Sequence, residues 1–178
     1  DDLDYAPYRK VFTGYIEDFT VTRTSFSVSA QDKRKSLSRQ LPVNRFTVAD
    51  YADLNENSVD KPKPIAWGAV RGAPCVCLDE DGAPANYSFM FLDTTYHPAN
   101  ALTAVYVDGE AVAVAASDLS AGTFTISSAN YSPGQEVTAD FTGFEDDYGN
   151  PITNGLDVIL DILESYDSKS FINENFNI

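Results

Sequence analysis

The feature that most constrains the fold is a pair of alternating runs joined by two residues: residues 102–107 (LTAVYV), Asp108 and Gly109, then residues 110–115 (EAVAVA). A type I′ turn holds both central residues at positive φ, which Asp and Gly tolerate, and its twist matches that of the strands it joins. This stretch is therefore expected to fold as an antiparallel hairpin, with alternation giving each strand one face for a core.

The same grammar recurs on both sides. Residues 64–70 (PIAWGAV), 73–78 (APCVCL), 87–92 (YSFMFL), 122–127 (GTFTIS) and 135–141 (QEVTADF) are short strand candidates, punctuated by turns at residues 79–84 (DEDGAP) and 132–134 (SPG). Short runs separated by turn chemistry argue for antiparallel pairing, because parallel strands need long crossover connections. Ile65 and Trp67 share one alternating face and are expected in the core.

Upstream, residues 11–19 (VFTGYIEDF) and 20–30 (TVTRTSFSVSA) are also strand-like. Alternation turns Thr22, Thr24, Phe26 and Val28 inward and leaves Arg23, Ser25, Ser27 and Ser29 toward water. Residues 31–40 (QDKRKSLSRQ) read as a short helix or turn that ends near Leu41 and Pro42. A polar stretch with two prolines, residues 49–64, reads as an ordered loop or junction. Near the other end, Asn154 is placed to cap a helix, with Asp157 near its positive end. Leu156, Ile159, Leu160, Leu163 and Tyr166 form a stripe expected to face a sheet or a partner, while Asp157, Asp161 and Glu164 mark the expected wet side.

The fold class that follows is mainly β (β-rich α+β): antiparallel strands and hairpins with one C-terminal amphipathic helix. The expected organisation is a β-rich N-terminal region over residues 1–50, part of a larger domain, and a polar connector over 51–64. An antiparallel β domain with the helix follows over 65–167, then a linker or docking arm over 168–178. The opening residues, DDLDYAPYRK, carry neither an initiator Met nor a basic, apolar leader, so the start is expected to be internal to something longer or processed.

Charge narrows the partners. The 178 residues carry a formal net charge of -15, and 43% are hydrophobic, enough for a real core. Residues 1–71 hold 11 of the 12 basic residues and net +1, whereas residues 72–178 hold only Lys169 and net -16. Such a surface offers no basic field to nucleic-acid phosphates and is repelled by anionic lipid, so neither nucleic acid nor membrane is an expected partner. The regional division reads either as solvated surface charge that aids solubility or as two parts that face different neighbours in an assembly.

Residues capable of catalysis are scarce. His97 is the only histidine and stands in an apparent turn before Pro98, with no motif that sets a nucleophile beside it. Cys75 and Cys77 share one face of an extended segment and read as small buried hydrophobes rather than metal ligands. Asp53, Asn55 and Asn57 match the first alternate positions of a calcium loop, but Ser58 replaces its glycine and Pro64 its bidentate Glu. No catalytic residue, metal site or cofactor is assigned. The aromatic supply leaves a carbohydrate or cell-surface binding module as the alternative reading, with Tyr87, Tyr96, Tyr106, Tyr131 and Tyr148 as candidates.

The order of VFTGYIEDFTVTRTSFSVSAQDKRKSLSRQLP, the polar spacer, KPKPIAWGAV, LTAVYVDGEAV, GQEVTADFTG and ITNGLDVILDILESY resembles hub-like tail or baseplate proteins of tailed bacteriophages and prophages. Pro62, Pro64, Ile65, Trp67 and Gly68 carry the second segment of that resemblance, which spans residues 11–166. It implies a structural subunit in a virion tail, assembled in the bacterial cytoplasm, with other tail or baseplate subunits or copies of itself as partners. Lys33, Arg34, Lys35 and Arg39 on one side, and Glu145, Asp146 and Asp147 on another, are the expected interface residues of a ring-like contact.

Overall fold

The computed structural model describes residues 14–32, 41–82 and 84–166. The chain divides into two compact units, Asp1–Arg39 with Leu163–Ile178, and Gln40–Ile162. The second unit is mainly β and antiparallel throughout, as the turn grammar requires. β3 (Ala69–Pro74), β6 (Ala99–Val107), β7 (Glu110–Ala111) and β10 (Val137–Phe144) form one sheet in the order β3-β10-β6-β7. β4 (Val76–Cys77), β5 (Asn86–Met90), β8 (Ala116–Asp118) and β9 (Thr123–Ser127) form another in the order β4-β5-β9-β8.

The two sheets share a core. β9 alternates half-buried and buried residues, and β10 does the same until its last two, which are both buried. Phe89, Phe124 and Ile126 from one sheet meet Val105, Val137, Ala139 and Phe141 from the other. The Phe91 and Phe141 rings approach to 5.0 Å between centroids, and Phe89 stacks on Phe124 at 5.4 Å. The unit is therefore a β-sandwich with an aromatic centre.

The β6–β7 hairpin forms as its sequence dictates. Asp108 and Gly109 take φ values of 49° and 85°, and Val107 pairs with Glu110 across the turn. Two other glycines allow loops to approach the sheets. A Cβ on Gly122 would overlap the Leu92 carbonyl, and one on Gly143 would overlap the Ala66 carbonyl. Through the second approach the 66–68 segment bonds to β10, by Gly143 N to Gly68 O at 2.8 Å and Phe144 N to Ala66 O at 3.0 Å. Ile65 and Trp67 consequently pack against the core from an irregular segment rather than from a strand.

The polar connector does not lie between the two units. Phe46, fully buried, and Leu54 join Leu78 and Met90 in a second cluster, with Tyr51 and Val76 against it. Val76 and Met90, directly paired, turn to this cluster, while Cys77 and Phe89, also paired, turn to the main core. The connector thus covers the outer face of the β4–β5 edge, and the division between units falls at Arg39 and Gln40.

The helix α1 (Gly155–Tyr166) begins where expected, with the Asn154 side chain accepting from Leu156 N at 3.0 Å. Its orientation differs from the expected one. Leu156 and Ile159 are 62% and 55% exposed, Val158 packs on the core, and Asp161 is buried at 8%. Asp157 and Glu164 are exposed as expected and Leu160 and Leu163 are half-buried, but the hydrogen-bonded carboxylate of Asp161 faces inward where Leu156 and Ile159 do not.

In the first unit, β1 (Gly14–Val21) and β2 (Phe26–Asp32) form an antiparallel hairpin. The turn lies at Thr22–Ser25, closed by Thr22 N to Ser25 O at 2.8 Å, and not near Thr20 where the two sequence runs meet. β2 extends through Asp32, so the polar segment after Ala30 begins as strand. Residues 33–40 and the arm over 168–178 lie outside the described residues.

Candidate functional site

Three surfaces have chemistry to offer: the β1–β2 hairpin, the junction beneath α1, and a cleft beside β4. In the hairpin, Phe19 opposes Val28 and Val21 opposes Phe26, which places all four on one face. A bulge between Ile16 and Asp18 shifts the phase by one residue, so that Ile16, opposite Ala30, joins the same face. The other face carries Asp18, Thr20, Ser27 and Ser29. This apolar face is open: Ile16, Phe19, Val21 and Phe26 are 64–68% exposed and Val28 is 42% exposed. The inward direction expected for Phe26 and Val28 is not realised, because among the described residues no layer covers them.

Beneath α1, Asp161 accepts from Trp67 Nε1 at 2.6 Å through Oδ2 and pairs with His97 Nε2 at 2.7 Å through Oδ1. Phe144 closes the group, edge-on to Trp67 at 5.4 Å and 6.0 Å from the His97 ring. The arrangement resembles the orienting half of a nucleophilic triad, since a carboxylate holds one imidazole nitrogen. Its position between the helix and the sandwich makes it a clasp for α1. Sequence reasoning missed it because an acidic residue on an amphipathic helix ordinarily faces water; the one available signal was the solitary Trp, whose indole N–H needs an acceptor when buried.

The cleft, about 400 Å3, opens between the connector, β4 and residues 131–137. Cys75 and Cys77 line it as free thiols, both pushed up to about 12 by burial. They sit on one side of the extended segment, as the spacing predicts, and stay protonated at neutral pH. Glu80 Oε1 accepts from Gly134 N at 2.8 Å and from the Tyr131 hydroxyl at 3.1 Å. Burial raises the Tyr131 hydroxyl above its ordinary value.

The residues with expected roles fall as follows. Lys33, Arg34, Lys35 and Arg39 lie outside the described residues. Glu145 accepts from Asn100 Nδ2 at 3.1 Å, and Asp146 Oδ1 accepts from the backbone N–H groups of Asn150 and Tyr148 at 2.8 and 2.9 Å. Those bonds, Asn150's first, hold the Asp146 carboxyl below the usual carboxylate range. Asp146 thus organises its own turn, Glu145 bonds to β6 through Asn100, and Asp147 is left exposed. Asn55 Oδ1 caps the short 3-10 turn Glu56–Ser58 through Asn57 N, and the Asp53 side chain lies against Gly82, so the calcium-like spacing serves backbone capping and packing. Among the candidate tyrosines, Tyr87 and Tyr131 stack edge-on in the core at 4.9 Å, and Tyr106 is half-buried, with its hydroxyl 3.2 Å from Asp140. Tyr96 and Tyr148 are exposed, at 42% and 89%.

Among the described residues, no group of three or more His, Cys, Asp or Glu could hold a metal ion, and no helix is long and apolar enough to cross a membrane. Compared with protein-family models, curated proteins and solved structures, the chain matches none of them.

Proposed function

We propose that this chain is a structural assembly module of a phage or prophage tail or baseplate, acting through contacts between subunits rather than through turnover. The observation that carries the reading is the apolar face of the β1–β2 hairpin. A two-stranded sheet is marginal alone in water, and each large apolar side chain gains about 1.5–3 kcal/mol when fully buried. Five such side chains on one open face give subunit association its driving force. The occupant is a neighbouring tail subunit, a second copy of the chain first of all. The near-neutral and acidic regions supply orientation, with Lys33, Arg34, Lys35 and Arg39 directed to an acidic neighbour and Asp147 as the uncommitted acid of its turn.

Two measurements test this reading. Light scattering on the purified chain should give a mass that rises with concentration, and Phe19→Asp with Phe26→Asp should return it to the monomer mass while leaving the sandwich folded. A monomer mass at every concentration overturns self-assembly. Immunogold labelling of particles induced from the encoding strain should mark tail tips, and unlabelled tails overturn the tail assignment. For the alternative, a carbohydrate module, Tyr148 and Tyr96 are the candidate tyrosines still exposed, and their substitution by Ala leaves the association predicted here intact.

A further inference from the structure

The cleft beside β4 has opposite charges on its lining and an uncharged floor. From the connector come Asn57, Ser58 and Lys61, and the exposed Lys61 ammonium bonds to no described residue. From the second 3-10 turn (Glu80–Gly82) comes Glu80, whose Oε1 is fixed by Gly134 N and the Tyr131 hydroxyl while Oε2 has no bond from a described residue. Lys61 and Glu80 form no ion pair with each other, so each charge keeps its field for a ligand.

The floor lies between these charges. Cys77 is buried and Cys75 half-buried, and because burial pushes both thiols up to about 12, they present neutral, polarisable sulfur at physiological pH. Phe89 and Val137, both almost fully buried, underlie the thiols and leave little apolar surface open to the cleft. At about 400 Å3 the space falls in the range of small-molecule sites. The geometry points to this cleft as a binding site for a small zwitterion, with a carboxylate at one end, an ammonium at the other and a compact apolar body between. The carboxylate binds at Lys61, Asn57 and Ser58, the ammonium at Glu80, and the apolar body lies over the thiols. The site does not depend on the assembly role proposed for the hairpin.

The test uses the full chain labelled with 15N and titrated with 6-aminohexanoate, with hexanoate and hexylamine as single-charge controls. The zwitterion should move the amide signals of Ser58, Lys61, Glu80 and Gly134 saturably, and each control should bind at least roughly tenfold more weakly, since a charge-assisted hydrogen bond is lost. Lys61→Gln, at an exposed position that leaves the remaining spectrum unchanged, should cost the same factor. The proposal is overturned by an absence of saturable shifts up to about 10 mM, by equal binding of either control, or by undiminished binding to Lys61→Gln. A chain that stays monomeric yet binds the zwitterion would refute the assembly role alone.

Discussion

The β1–β2 hairpin and the sandwich are written in the same residues and end in opposite environments. In β9 the apolar members of the alternation, Phe124 and Ile126, are 1% and 0% exposed; in the hairpin Phe19 and Phe26 are 64% and 67% exposed. Alternation specifies which side of a strand is apolar, and a second layer decides whether that side becomes a core. The sandwich supplies its own second layer. The hairpin keeps the amphipathic face, and among the described residues no second layer covers it.

Substitutions at five positions sharpen this contrast. Phe124→Ala should destabilise the sandwich by about 3–5 kcal/mol, whereas Phe26→Ala in the monomer should stay within about 0.5 kcal/mol. Urea unfolding reads the first by the fluorescence of Trp67, the only tryptophan, and the second by far-UV circular dichroism, since Phe26 belongs to the other unit; a comparable loss at Phe26 would mean that its face is covered within the monomer. Next comes Asp161→Ala, which removes the acceptor of the Trp67 indole and the partner of His97 and should cost about 1.5–3 kcal/mol with a red-shifted Trp emission. Asp161→Asn keeps an acceptor and should retain part of that stability.

Smaller effects follow at the turns. Gly109→Ala places a Cβ at a φ of 85° and should cost about 1 kcal/mol in the same unfolding assay, with the hairpin otherwise intact. The smallest concerns Asp146, whose carboxyl the backbone N–H of Asn150 holds below the usual carboxylate range. A depressed carboxyl stabilises the fold above its unfolded pKa, and that contribution is lost as pH falls from there through the folded pKa. The melting temperature of Asp146→Asn should therefore trail the parent at pH 6 and converge with it in strong acid. A gap that stays constant across the titration would remove the carboxylate from the account.

Legibility in the sequence followed the range of the interactions involved. The Asp108-Gly109 hairpin, the Asn154 cap and the antiparallel arrangement rest on neighbours in sequence and were readable there. The connector's place on the sandwich was not, because Phe46 and Leu54 look isolated until Leu78 and Met90 are folded beneath them. The same holds for Asp161, whose partner Trp67 is 94 residues away, and for the Ile16/Asp18 bulge, which exists only relative to β2. The cleft was legible in part: the placement of Cys75 and Cys77 on one side followed from spacing, but Lys61 and Glu80 come to line one cleft only through the connector's return.

The close approaches at Gly122 and Gly143 have an evolutionary consequence. Aromatic core positions can exchange Phe for Leu or Met with compensating changes nearby, so they drift. A carbonyl that occupies the place of a side chain allows no such exchange, because the obstacle is backbone. In diverged descendants of this sandwich, the glycine after the β8 strand and the one near the end of β10 should outlast its aromatic residues as marks of common ancestry.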